Sequence, residues 1–228
     1  MKLLLWDFDG TLAYRDGMWT QALLDVLREH APHLAVTREQ IRPFLQSGFP
    51  WHDPDLPHTH IMTADDWWEN LVPVFERAFA SVGVPPAEAP GFAMYVRKTF
   101  LGVEHWHLFP DTVPSLSALA DVGWTHWILS NHVPELGQLA DGLGLGQLIQ
   151  SVFTSARTGY EKPHPSAFEH VLRKTAPGST VWMIGDSMVA DVEGATKVGL
   201  SAILVRKQAA GVIHYCCDLY GISRIVNA

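Results

Sequence analysis

Short, unbroken apolar runs recur along this chain, each halted by polar or small residues, and they restrict its fold more than any other feature. The runs are residues 2–8 (KLLLWDF), 124–129 (WTHWIL), 152–154, 181–184 (VWMI) and 202–205 (AILV). A strand wetted on one face alternates apolar and polar residues, whereas a strand covered by helices on both faces does not. Between the runs lie helical patterns at 112–122, 134–143, 165–174 and 189–198, several of them followed by a glycine: Gly123, Gly144 and Gly199. Glycine takes the left-handed turn that closes a helix without steric cost. Strand–helix alternation of this kind predicts a parallel sheet in a layered α/β fold.

The rhythm breaks over residues 16–106. Helical patterns are found there at 19–30, 65–82 and 91–101, with no convincing buried strand. In the first of them Trp19, Ala22, Leu23, Val26 and Leu27 share one face. The expectation is a mostly helical cap domain at 16–106, hinged near 13–17 and 102–110, inserted into a core made of 1–15 and 107–228. Trp67 and Trp68 are expected to pack in the core or between cap and core. The tail is expected to finish a sheet edge at Ile225 and Val226.

Open α/β sheets bind ligands beyond the carboxyl ends of their strands, so the residues that follow each apolar run carry the functional signal. They are Asp7-Phe8-Asp9-Gly10-Thr11, Ser130-Asn131, Lys162 in Gly159-Tyr160-Glu161-Lys162-Pro163, and Gly185-Asp186-Ser187 with Asp191 five positions beyond Asp186. Each has an ordinary explanation in isolation: an Asp-Gly turn, a helix cap, an exposed lysine. Their convergence on one end of one sheet is what a turn or a cap does not explain.

Phosphoryl transfer needs an in-line nucleophile, cations against the phosphoryl oxygens and an acid for the leaving group. Asp7 is a competent carboxylate nucleophile. The carboxylates of Asp7, Asp9, Asp186 and Asp191 would repel one another unless a hard cation sat among them, and an oxygen-only donor set without His or Cys favours Mg²⁺. Lys162 supplies a compact positive charge. Ser130, beside Asn131, offers a hydroxyl to a phosphate oxygen, and the N–H groups around Phe8 and Gly10 allow the backbone to approach it. Asp9, crowded by like charge, suits a general acid that later serves as the base.

These motifs resemble those of the haloacid dehalogenase (HAD) superfamily, in particular its phosphatases with a helical C1-type cap. Gly194-Ala195 and Gly199 add to the likeness. It covers about 1–15 and 107–228. The resemblance implies a Rossmann-like core, with Mg²⁺ held by Asp7, the backbone carbonyl of Asp9 and Asp186. Asp191 would support metal-bound waters or Lys162. Dehalogenases of the superfamily lack the second carboxylate of the first motif, which is present here as Asp9. Phosphonate-cleaving members use a cap lysine and a small residue in place of Asp9; Lys98 is the only cap lysine. The implied activity is hydrolysis of a small phosphorylated metabolite through an aspartyl-phosphate on Asp7. A phosphomutase sharing that intermediate and a non-catalytic binding protein of the same fold are the alternatives.

The cap is less legible. Residues 47–63 carry Trp51, His52, His58 and His60, and His105 and His107 lie near the second hinge. They fit a specificity loop, a zinc site drawing on His58, His60, His105 or His107, or a surface loop with scattered histidines. The formal charge of -8, with 16 Lys and Arg spread thinly, gives no basic patch for nucleic acid. No stretch is long enough to span a membrane. The only cysteines are the neighbours Cys216 and Cys217, whose disulfide would be strained, so reduced thiols and a cytoplasmic address are expected.

Overall fold

A computed structural model describes residues 1–227. Six parallel strands form one sheet: β1 (Lys2–Trp6), β4 (Trp124–Ser130), β5 (Ile149–Thr154), β6 (Thr180–Gly185), β7 (Ser201–Val205) and β8 (Tyr215–Cys216), in the order β5-β4-β1-β6-β7-β8. A smaller antiparallel pair joins β2 (Ala13–Arg15) to β3 (Trp106–Leu108). The apolar runs are buried on both faces. Leu3 and Leu5 pack with Phe168 and Met183 on one side, while Leu4 and Trp6 pack with Ile184 and Ile203 on the other. The fold is the parallel, layered α/β arrangement the strand–helix alternation predicts, with the Rossmann-like core the family resemblance implies. From β1 the chain builds outward through β4 and β5, then returns to place β6 on the other flank of β1. The strand order therefore reverses at β1/β6, and such a reversal opens a crevice.

Between β2 and β3 lie α1 (Met18–His30), the single turn α2 (Arg38–Ile41), α3 (Ala64–Ser81) and α4 (Ala89–Leu101). Each long helix buries a stripe at helical spacing: Leu23, Val26 and Leu27 on α1; Trp67, Leu71, Val74, Ala78 on α3; Phe92, Val96 and Phe100 on α4. Trp19 is the hub, stacked on Phe100 at 3.9 Å between centroids and 10° between planes, with Phe49, Trp51, Trp68 and Phe75 around it. Trp68 also crosses to the sheet side, where its indole N–H donates to the buried Glu135 carboxylate, which Arg97 holds at 2.6 Å.

The sheet is flanked by α5 (Thr112–Asp121), α6 (Leu136–Gly142), α7 (Ser155–Thr158), α8 (Pro165–Leu172), α9 (Gly194–Lys197) and α10 (Ile222–Val226). The helix anticipated over 189–198 opens as a π-helical turn, Met188–Glu193, before α9. One expectation fails: Ile225 and Val226 lie in α10, not on a sheet edge. Tyr215–Cys216 takes that edge against β7. The chain then turns so that Ile222 can be buried beside Leu219.

Candidate active site

Asp7 is the first residue past β1, and its N–H donates to Ile184 O at 2.8 Å, which fixes it against β6 at the strand-order reversal. From the end of β6, Asp186 approaches from the other side. The π-helical turn after Ser187 swings Asp191 inward; its wide backbone turn is seen in Val192 N–H reaching Ser187 O. Asp7, Asp186 and Asp191 present carboxylate oxygens all within 4.8 Å of one another, the only such cluster of His, Cys, Asp or Glu among the described residues. Two glycines make room for it. Gly10 has φ 77°, and a Cβ there would collide with the Asp186 carboxylate. A Cβ on Gly185 would occupy the space of the Asp191 carboxylate.

Lys162 is buried between two of these acids, donating to Asp7 Oδ1 at 2.8 Å and Asp191 Oδ1 at 2.6 Å. Burial alone would lower its pKa, but Asp191 and then Asp7 outweigh it and keep the ammonium charged. Asn131 spends its side chain on holding that lysine: its amide donates to Lys162 O at 2.8 Å, and its Oδ1 accepts from Lys162 N at 2.7 Å. What Asn131 can offer a ligand is therefore its backbone. Ser130 is buried at the floor of the cavity. Phe8 is fully buried with its ring against Trp106 and His132, so it too has only backbone to offer.

Asp9 differs from Asp7. Burial, then the charges of Asp7 and Asp186, raise its pKa well above the ordinary carboxyl value, with Lys162 opposing. Its Oδ1 has no hydrogen-bond partner. Asp186 is also raised, chiefly by burial, although Lys207 touches it from the rim.

These groups floor a cavity of about 330 Å³ roofed by Met18, Trp19, Trp51 and Phe100 from the helical insertion. His132 completes the wall, buried at 3% exposure, with its Nε2 3.7 Å from Asp9 Oδ2. Neither of its ring nitrogens has a hydrogen-bond partner, and burial lowers its pKa to about 4, so the imidazole is neutral. The motif scan did not single out His132, Met18, Trp19 or Phe100; standing next to Ser130-Asn131 was the one available signal, and it reached His132 alone.

The remaining histidines do not assemble into a site. His58 is buried against Ser155 O (3.1 Å) and Glu161 (3.5 Å), and His52 Nδ1 accepts from Phe49 N–H. His107 packs at a tilt against Tyr14, and His105 faces Glu104. His58, His60, His105 and His107 do not gather into a zinc site among the described residues. Lys98 lines a different cavity, with Asp25, Glu29 and Glu104.

A parallel sheet with an acidic cluster and a lysine at its strand-order reversal, roofed by an inserted helical layer, is the layout of a Rossmann-like α/β enzyme. The family profile of haloacid dehalogenase-like hydrolases matches residues 1–199, and the chain belongs to that family. It is 28% identical over 212 residues to the bovine (Bos taurus) haloacid dehalogenase-like hydrolase domain-containing protein 3, covering 90% of this chain and 82% of that one. It is 34% identical over 103 residues to glyceraldehyde 3-phosphate phosphatase of Methanothermobacter thermautotrophicus, covering 44% of this chain and 45% of that one. Among solved structures, the HAD-hydrolase YfnB of Bacillus subtilis, bound to magnesium, superposes with a TM-score of 0.77 at 21% identity, over 100% of this chain and 99% of that one.

Proposed function

We propose that this chain is a Mg²⁺-dependent phosphatase that cleaves a small-molecule phosphate monoester through an aspartyl-phosphate on Asp7, with residues 16–106 as a cap over the site. One observation carries the reading: Asp7 stands at the strand-order reversal with a charged lysine at 2.8 Å and two further carboxylates within 4.8 Å. The phosphatase relative supports the reaction class.

In the first step Asp7 Oδ attacks phosphorus as the P–O bond to the leaving group breaks. Asp9, whose pKa is raised by burial and by the charges of Asp7 and Asp186, donates its proton to the departing oxygen. In the second step water attacks phosphorus, Asp9 takes the water's proton, and the acyl-phosphate bond breaks to return Asp7 and free phosphate. Lys162, steadied by Asn131 and Asp191, holds positive charge beside Asp7 and the phosphoryl oxygens. The donor set fits Mg²⁺: every ligand atom is oxygen, and the acidic cluster needs a cation. Asp7, Asp186 and the Asp9 backbone would hold the ion, with Asp191 behind Lys162; when bound it neutralises the phosphoryl charge.

The test is release of 4-nitrophenol from 4-nitrophenyl phosphate in the presence of Mg²⁺. Asp7→Asn is expected to lower kcat by about 10³ or more, given what removal of a covalent nucleophile costs. Equal release by Asp7→Asn and the unaltered protein ends the proposal.

A further inference from the structure

The catalytic floor of the cavity is charged, but its roof is not. Apart from Lys162, already committed to Asp7 and Asp191, no lysine or arginine lines the cavity among the described residues. The arginines of the surrounding elements are engaged elsewhere, Arg15 by Asp25, Arg97 by Asp65 and Glu135, and Arg206 by Asp111, while Lys207 stands outside the lining, on the rim against Asp186. Met18, Trp19, Trp51, Phe100 and Val133 give the cavity its apolar lining, with His132 beside them. A carboxylate or second phosphate brought there would lose its water, meet the electron-rich faces of three rings and find no counter-charge. The rings are stacked on one another, Trp19 on Phe100 at 3.9 Å and Trp51 on Phe49 at 4.6 Å, so they hold each other in place. They close one side of the cavity with an apolar wall. In that wall His132 keeps both ring nitrogens unpartnered while almost fully buried, a state that costs free energy unless a ligand supplies the partner.

Resting on the phosphatase reading above, we propose that the substrate is a monophosphate ester whose leaving group is uncharged and has an apolar, aromatic body, packed against the ring cluster at Trp51 and hydrogen-bonded at one polar edge by His132. Aryl-alkyl monophosphates and nucleoside monophosphates belong to this class. Sugar bisphosphates, phosphorylated acids and phosphorylated amino-alcohols do not.

The experiment compares kcat/KM of the full chain with Mg²⁺ on primary alkyl esters, so that leaving-group acidity does not decide the order. The substrates are 2-phenylethyl phosphate and a nucleoside 5′-monophosphate, against 2-phosphoglycolate, fructose 1,6-bisphosphate and choline phosphate, with acetyl phosphate as a reference that needs no leaving-group contact. The two aromatic esters are expected to exceed the three charged ones by about tenfold or more. Trp51→Ala is expected to cut that preference at least about threefold, mostly through KM, and Trp51→Phe to restore most of it, since stacking needs a ring and not an indole. His132→Phe is expected to lower kcat/KM for the nucleotide more than for 2-phenylethyl phosphate, which has no polar edge. Turnover of acetyl phosphate together with equal or better turnover of a charged ester overturns this inference and leaves the phosphatase reading standing. So does a preference that Trp51→Ala does not move. Failure on every substrate, acetyl phosphate included, overturns both.

Discussion

His126 shows how a single side chain couples this fold to pH. It is wholly buried on β4, where its Nδ1 accepts from the Trp6 indole at 3.1 Å and its Nε2–H faces Leu116 O at 2.9 Å. Those partners fix a neutral tautomer, and burial lowers its pKa from 6.5 to about 4. Below pH 6.5 the unfolded chain binds a proton that the folded chain refuses, so stability falls with pH until about 4, where the slope ends. The contribution is about 3 kcal/mol in full. His126→Gln can keep both hydrogen bonds without titrating, and urea titrations from pH 4 to 7 are expected to show a flatter slope than the unaltered protein; an unchanged slope rejects the assignment. At this scale the sequence was informative wherever chemistry demanded a residue type. Asp7, Asp9, Lys162, Asp186 and Asp191 stand out because nothing structural requires acids and a lysine at strand ends. Trp19 and Phe100 did not, because an aromatic residue in a helical stripe reads as core, and only the insertion's placement turns two of these rings toward the crevice.

Among the elements, α3 depends on its start. Thr63 Oγ accepts from Asp66 N–H at 3.1 Å, and Asp66 Oδ2 accepts from Thr63 N–H at 3.0 Å, so two otherwise orphaned donors are satisfied reciprocally. Thr63→Ala is expected to cost about 1 kcal/mol, read as a lower urea midpoint at constant slope, with kcat unaffected because neither Thr63 nor any residue of α3 lines the cavity. The strands β1, β4, β6 and β7 could be read from the chain because each is buried on both faces. The start of β5, Ile149-Gln150-Ser151, could not: it lies at the sheet edge, where Gln150 is exposed. The pair β2–β3 left no signal either. Tyr14, Arg15 and His107 form a sheet only because the chain returns beside itself some ninety residues later, and no local pattern encodes that return. Ile225 and Val226 misled for the converse reason, since β-branched residues favour strands only when an edge is vacant.

For the molecule as a whole, the proposed ion at the acidic cluster would act on stability. Three carboxylates lie within 4.8 Å, two of them on Lys162 and the third touched by the exposed Lys207, and an ion that binds only the folded chain there would raise stability by mass action. The gain is about 2.7 kcal/mol at a hundredfold excess over Kd. Thermal unfolding is expected at higher temperature with Mg²⁺ than with a chelator, and Asp186→Asn is expected to remove most of the difference; identical Tm values in both conditions exclude the ion. The β2–β3 pair has a different consequence. Arg15 lies opposite Trp106 and Ala13 opposite Leu108, so the polypeptide leaves the sheet and comes back as one hydrogen-bonded ribbon. A roof carried on such a ribbon is tied to the sheet at one place, like a page to its spine. Any other insert whose two ends stand one strand spacing apart, about 5 Å, could be spliced onto the same stem, leaving the chemistry beneath untouched while selectivity is rewritten above.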